Sequence, residues 1–160
     1  MRTMKPGMIR EHMIVYFNGQ FIPKEEVRIS PDDRGFLFAD GVYEVIASYS
    51  GRLFRPDAHL RRLERSLREL RIAVPDPAVL RDVAERLIET NDLAGSVAGV
   101  YIQITRGVAP RNHAFPDPAV PPTIYASAFP FEMPREEQEQ GVRVILVPDV
   151  RWARCDIKSV

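Results

Sequence analysis

Cysteine is nearly absent: Cys155 is the only one in 160 residues. A single thiol excludes an internal disulfide and fits a reducing cytosol. Nothing around Cys155 implies the lowered thiol pKa of a nucleophile, so a structural role is expected. An excess of one charge is also missing. Lys and Arg number 22 and Asp and Glu number 22, which argues against nucleic acid or an anionic membrane as the main partner. No apolar run approaches the ~18 residues needed to cross a bilayer, and residues 1–12 hold no hydrophobic signal region. A cytoplasmic location is therefore expected. His12, His59 and His113 show no metal-ligand spacing with one another or with Cys155. No phosphate-binding glycine loop, dinucleotide fingerprint or Gly-x-Ser-x-Gly elbow occurs.

What is present reads as an α+β domain. Met13-Ile14-Val15-Tyr16-Phe17 is strand-like, and Asn18-Gly19 turns it back into Gln20-Phe21-Ile22. Glu25 to Ile29 alternates as a short strand does, and residues 30–35 carry loop chemistry. Val42 to Tyr49 is rich in strand formers, and Ser50-Gly51 returns it to Leu53-Phe54. Leu60, Leu63, Leu67 and Leu70 recur at steps of three and four, as one helical stripe requires, with Glu64 and Arg68 one turn apart. Asp76-Pro77 opens a second helix, buried through Leu80, Val83, Ala84, Leu87 and Ile88 and ending near Asn91. Strands return at residues 98–105 and 123–129. Strands on both sides of a helix pair predict helices packed on one sheet face. The spacing predicts a loose extension at 1–12, an α+β domain at 13–130, a linker at 131–140 and the start of a second domain at 141–160. Its first element, residues 141–147, reads as a buried strand. Met8 and Met13 both stand as candidate starts.

Four places have residues suited to chemistry. Lys158 follows closely on that apolar run, and an amine there suits attack on a carbonyl, although a lysine near a chain end is commonly a solvated charge. Arg111 and His113 lie two apart between prolines. In extended backbone they would face one spot, where a guanidinium and an imidazole suit a carboxylate; a solvated polar loop is the other reading. Tyr43 enters the strand after Asp40-Gly41 and either packs locally or donates its hydroxyl to a ligand. Asp40-Gly41 itself reads as a turn, and Thr105-Arg106-Gly107 as a strand end without chemistry of its own. Arg62 flanks the leucine stripe, which it either covers with its stem or leaves to anchor a phosphate.

Several stretches acquire meaning together: Asp33-Arg34-Gly35-Phe36 with Phe38, Asp40-Gly41-Val42-Tyr43-Glu44-Val45, Ile104-Thr105-Arg106-Gly107, Pro110-Arg111-Asn112-His113, and Arg151-Trp152 with Arg154-Cys155-Asp156-Ile157-Lys158-Ser159. In this order and spacing, Val15 through Val160 resembles the N-terminal half of the fold-type IV pyridoxal-phosphate aminotransferases, and among them the D-amino-acid type. The resemblance implies the small N-terminal domain of that fold, an antiparallel or mixed sheet carrying two helices, followed by the first strand of an incomplete second domain. It implies that Lys158 holds pyridoxal 5'-phosphate covalently, that Arg62 contacts the cofactor phosphate, and that Tyr43, Arg111 and His113 hold the substrate carboxylate.

In the family, the arginine and histidine reach in from a neighbouring subunit, so a homodimer is implied. The implied reaction exchanges the amino group of a D-amino acid such as D-alanine with a 2-oxo acid such as 2-oxoglutarate. Relatives continue beyond this lysine by roughly another domain of ~100–150 residues. The 160-residue chain alone is therefore expected to be inactive. Branched-chain aminotransferases and aminodeoxychorismate lyases share the fold and are the alternative reading. A non-catalytic domain that dimerises or binds a ligand is the alternative from another class.

Overall fold

Two short turns set the framework. In the computed structural model, which describes residues 13–73 and 76–150, Asn18-Gly19 and Ser50-Gly51 both take positive φ at both positions. That backbone matches the twist of the flanking strands and closes two-residue hairpins. The first joins β1 (Ile14–Phe17) to β2 (Gln20–Pro23); the second joins β3 (Gly41–Tyr49) to β4 (Arg52–Leu53). β5 (Val97–Thr105) and β6 (Thr123–Pro130) complete a six-stranded sheet in the order β2-β1-β6-β5-β3-β4, with every pairing antiparallel.

Between β1/β2 and β3 lies a short helix, α1 (Arg34–Phe38). Asp33 caps it, its carboxylate accepting from the Gly35 N–H at 2.8 Å. α2 (Pro56–Glu69) and α3 (Pro77–Thr90) follow β4. Both open with proline at the first turn, where a missing N–H leaves no bond unmade. Asp76 caps α3 through the Ala78 N–H at 2.8 Å. The Glu64–Arg68 pair forms on α2 at 2.6 Å. Asn91 does more than end α3. Its side chain exchanges two 2.9 Å hydrogen bonds with the Ile14 backbone and so joins the helix to the first strand.

The core lies between the sheet and these two helices. Leu60, Leu63 and Leu67 of α2 and Leu80, Val83, Ala84, Leu87 and Ile88 of α3 are buried against Ile46, Val100, Ile102, Ile104, Ala126 and Ala128. Strand alternation supplies that layer, since successive residues point to opposite faces. The expected α+β arrangement of two helices on one face is what the chain adopts.

Three local expectations are corrected. Residues 25–29 form no strand; Lys24–Glu26 is a 3₁₀ turn whose residues are all exposed. Alternation of charged with apolar residues makes a strand only where a neighbour supplies hydrogen bonds, and none pairs here among the described residues. The loop reading of 30–35 ends at Asp33, where the cap starts α1. Residues 135–140 of the expected linker form α4 (Arg135–Gln140), with Glu136 and Glu137 in the first turn, where the helix dipole favours acids.

The expected buried strand at 141–147 is absent as well. Val144, Ile145 and Leu146 are 77%, 85% and 99% exposed, and residues 141–150 carry no regular structure. An apolar run buries itself only against a second surface, and the described residues offer it none. The extension at 1–12, together with Cys155 and Lys158, lies outside the described residues.

Candidate active site

β3 carries a carboxylate on the wrong side for a surface residue. Glu44, Ile46 and Ser48 alternate toward the helices and are all buried, whereas Tyr43, Val45 and Tyr49 face the other way and are exposed. A buried carboxylate requires partners, and α2 provides two of them three residues apart on one face. His59 Nδ1 lies 2.9 Å from Glu44 Oε2. Arg62 donates from Nε to Oε1 at 2.5 Å and from Nη2 to Oε2 at 2.6 Å. Burial pushes the Glu44 carboxyl up, but the hydrogen bonds and charges of Arg62 and His59 outweigh it, leaving the group below its ordinary value. Glu44 in turn pulls Arg62 further into its protonated form. Although pinned at two nitrogens, Arg62 keeps 59% of its side chain exposed. It is thus an oriented cation open to solvent, which is what a phosphate group needs from a protein.

On the opposite sheet face, Tyr43 stands over Tyr101 with ring centroids 5.7 Å apart. The Tyr101 hydroxyl donates to Gln103 Oε1 at 2.5 Å, and burial, with Tyr43 and Tyr125 nearby, pushes its pKa up. Tyr43 and Tyr101 line a cavity of about 300 Å³ with Val42, Gln103 and Thr105. Tyr43 is 66% exposed, so its hydroxyl is available to a ligand.

Arg111 and His113 lie in the loop between β5 and β6. The structure brings these two together on one ring. Arg111 Cζ is 5.3 Å from the centroid of Phe38, and the His113 ring is 5.2 Å from it. Asn112 separates them, and its carbonyl accepts from Arg34 Nη1 at 2.6 Å. That bond ties the loop backbone to α1 at Asn112, while Arg111, Asn112 and His113 are all exposed. Tyr43 forms no hydrogen bond or ring contact with Arg111 or His113 among the described residues. Arg62 likewise engages Glu44 and neither loop residue.

Two charged groups carry more of this architecture than their spacing suggests. Asp40, read as part of a turn, accepts from Arg34 Nε at 2.8 Å and from Arg106 Nε and Nη2 at 2.7 and 3.0 Å. Arg106, read as a strand end without chemistry, is only 7% exposed. Burial raises the Asp40 pKa, and the two arginines more than reverse that, so it too lies below its ordinary value. Gly107 follows with φ +99°, and a Cβ there would lie 2.0 Å from the Pro121 carbonyl oxygen. Glu44 had a legible signal, since a charged residue at the core-facing parity of a strand demands a buried partner. Asp40 and Arg106 had none, because they lie 66 residues apart and only the fold brings them together.

Comparison with known proteins gives this geometry a context. The family model described as amino-transferase class IV matches residues 41–160. The D-alanine aminotransferase of Staphylococcus haemolyticus is 44% identical over 147 residues, which are 91% of this chain and 51% of that protein. The D-alanine aminotransferase of Bacillus licheniformis is 41% identical over 149 residues, 92% of this chain and 52% of that protein. The chain thus spans about half the length of the curated relatives it matches.

Among solved structures, the 4-amino-4-deoxychorismate lyase of Pseudomonas aeruginosa superimposes with a TM-score of 0.62 at 32% identity, over 81% of this chain and 45% of that one. The Escherichia coli branched-chain amino acid aminotransferase gives 0.69 at 22% identity, over 75% of this chain and 41% of that one; this is a likeness of fold. With a family model covering most of its length and relatives of this identity, the chain belongs to the class IV aminotransferases.

Proposed function

We propose that the complete protein is a pyridoxal-phosphate-dependent transaminase that moves the amino group of a D-amino acid such as D-alanine to a 2-oxo acid such as 2-oxoglutarate. The observation that carries this reading is the joint placement of Arg111 and His113 on Phe38, 5.3 and 5.2 Å from its ring. A guanidinium fork beside an imidazole suits a carboxylate, the group common to both substrates. The D-alanine aminotransferase relatives, at 44% and 41% identity, support the same substrate class.

When bound, pyridoxal phosphate supplies an electron sink for the charge left on Cα as its proton departs. Arg62, oriented by Glu44, holds the cofactor's phosphate. Lys158, which lies outside the described residues, would hold the cofactor covalently and, once the substrate's amine displaces its Nζ, would be the free amine that carries the proton from Cα. That task requires a neutral amine, hence a site that lowers its pKa by burial and neighbouring positive charge. Tyr43 donates its hydroxyl to the substrate carboxylate. A carboxylate gripped from a fixed side determines which Cα hydrogen faces Lys158, and this selects the D-enantiomer.

Arg111 and His113 stay apart from Tyr43 within one chain, which supports a homodimer in which each subunit lends this loop to its partner's site. In this reading, residues 131–140 separate the domain described above from a cofactor domain that begins at 141, in a cytoplasmic enzyme. The test is turnover of D-alanine against L-leucine by the complete protein. Transfer from D-alanine is expected, and activity confined to L-leucine would refute the assignment in favour of branched-chain chemistry.

A further inference from the structure

We infer that Arg34, Asp40 and Arg106 form a buried clamp that sets the position of Arg111 and His113, making Arg34 and Asp40 positioning residues for carboxylate recognition. The inference rests on the carboxylate role proposed above for the Arg111–His113 loop.

The clamp is built around a single acid. Asp40 Oδ2 accepts from both arginines, Arg34 Nε at 2.8 Å and Arg106 Nε at 2.7 Å, and its Oδ1 accepts from Arg106 Nη2 at 3.0 Å. Arg34 is 3% exposed and Arg106 7%, so these charges have little access to water and must be satisfied inside. Two guanidiniums on one carboxylate leave a surplus of positive charge and several unfilled N–H groups. Backbone carbonyls take them up.

Arg34 Nη1 donates to Asn112 O at 2.6 Å and to Ala114 O at 3.3 Å. These carbonyls lie immediately before and immediately after His113, and Asn112 directly follows Arg111. Arg106 reaches the other way, to Leu70 O at 2.8 Å and Arg71 O at 3.0 Å at the end of α2. Its guanidinium also lies 3.8 Å from the centroid of Phe115. The loop is therefore held at 112, 114 and 115 by groups fixed to α1, β5 and α2. Phe38, the ring shared by Arg111 and His113, lies one turn along α1 from Arg34, whose guanidinium is 4.8 Å from it.

This arrangement needs a planar fork. Arg34 addresses Asp40 with one nitrogen and the loop with another, at fixed separation. A lysine ammonium is a compact point charge and cannot span both. Without the span, the Asn112 and Ala114 carbonyls lose their anchor, and Arg111 and His113 lose the fixed backbone that places them.

The experiment compares Arg34→Lys, Arg111→Ala and the double variant in the complete, cofactor-loaded protein, by steady-state kinetics with D-alanine. Asp40→Asn serves as a second probe should Arg34→Lys fold poorly. Arg34→Lys is expected to raise KM for D-alanine by about tenfold to about a hundredfold, the effect of a misplacement near 1 Å, with kcat and cofactor absorbance close to wild type. Because Arg34 acts through Arg111, the double variant is expected to be no worse than Arg111→Ala alone. Amide exchange across residues 111–116 should accelerate in Arg34→Lys. Unchanged KM in Arg34→Lys alongside a damaged Arg111→Ala would overturn the clamp and leave the carboxylate reading intact. Fully additive losses would overturn it as well, since Arg34 would then act independently of Arg111. A silent Arg111→Ala would bring down the carboxylate reading, and the clamp's purpose with it.

Discussion

Glu44 of β3 holds Arg62 of α2 through both carboxylate oxygens, at 2.5 and 2.6 Å, from a position only 3% exposed. The pair ties the helix to the sheet and aims the arginine at the same time.

This arrangement carries a pH signature. The Glu44 carboxyl lies below its ordinary value of 4.5 because Arg62 and His59 outweigh its burial. A depressed folded-state pKa stabilises the fold in full above pH 4.5 and loses that contribution as pH falls through the lowered value. Glu44→Gln should therefore flatten the acid limb of a plot of Tm against pH, while Asp40 continues to act below its own ordinary value of 3.8. An acid limb identical to wild type would show that Glu44 is not coupled to folding in this way.

Arg111→Ala in the complete protein should weaken use of the amino acid and leave cofactor binding intact. The lost charge-assisted hydrogen bonds are worth on the order of 2–4 kcal/mol, read from kcat/KM. Unchanged kinetics would remove Arg111 from the site.

Lys158→Ala should abolish covalent attachment of the cofactor. Borohydride reduction followed by intact mass is the measurement. Wild type should gain the cofactor's mass and the variant none, and an adduct surviving in the variant would assign the attachment elsewhere.

Leu67 is 1% exposed within the core. Leu67→Ala should destabilise the domain by about 2–5 kcal/mol, depending on how far the cavity collapses, as chemical denaturation would measure. A loss below about 1 kcal/mol would mean that α2 packs less tightly than its stripe implies.

Gly107 combines φ +99° with a Pro121 carbonyl oxygen 2.0 Å from where a Cβ would stand. Gly107→Ala should destabilise by more than the roughly 1 kcal/mol of conformational strain alone. A wild-type Tm would mean the Pro121 segment shifts freely, which would also loosen the loop that carries Arg111.

Local chemistry was legible from the residues themselves. The Asn18-Gly19 and Ser50-Gly51 turns, the Asp76-Pro77 helix start and the alternation of β5 each depend on neighbours a few positions away, and each forms as read; the leucine stripe of α2 holds for Leu60, Leu63 and Leu67, whereas Leu70 lies beyond the helix end and is exposed. Arg111 and His113 both lie near Phe38, but on backbone bends rather than on the extended strand their spacing suggested. Where a reading required a distant partner, the residues alone were insufficient. Residues 25–29 and 141–147 have strand-like composition but no neighbouring strand among the described residues, so they take other forms.

The ion pairs show the same division most sharply. Glu44 and Arg62 lie 18 residues apart, and Asp40 and Arg106 lie 66 apart. The sequence by itself determined the two hairpin turns, the two long helices and the alternation of β5, because those follow from periodicity and turn chemistry within a single segment. Only the tertiary structure decided which charges are shut away from water together. Burial belongs to the packed sheet and helices, and it is burial that obliges each of those charges to find its partner.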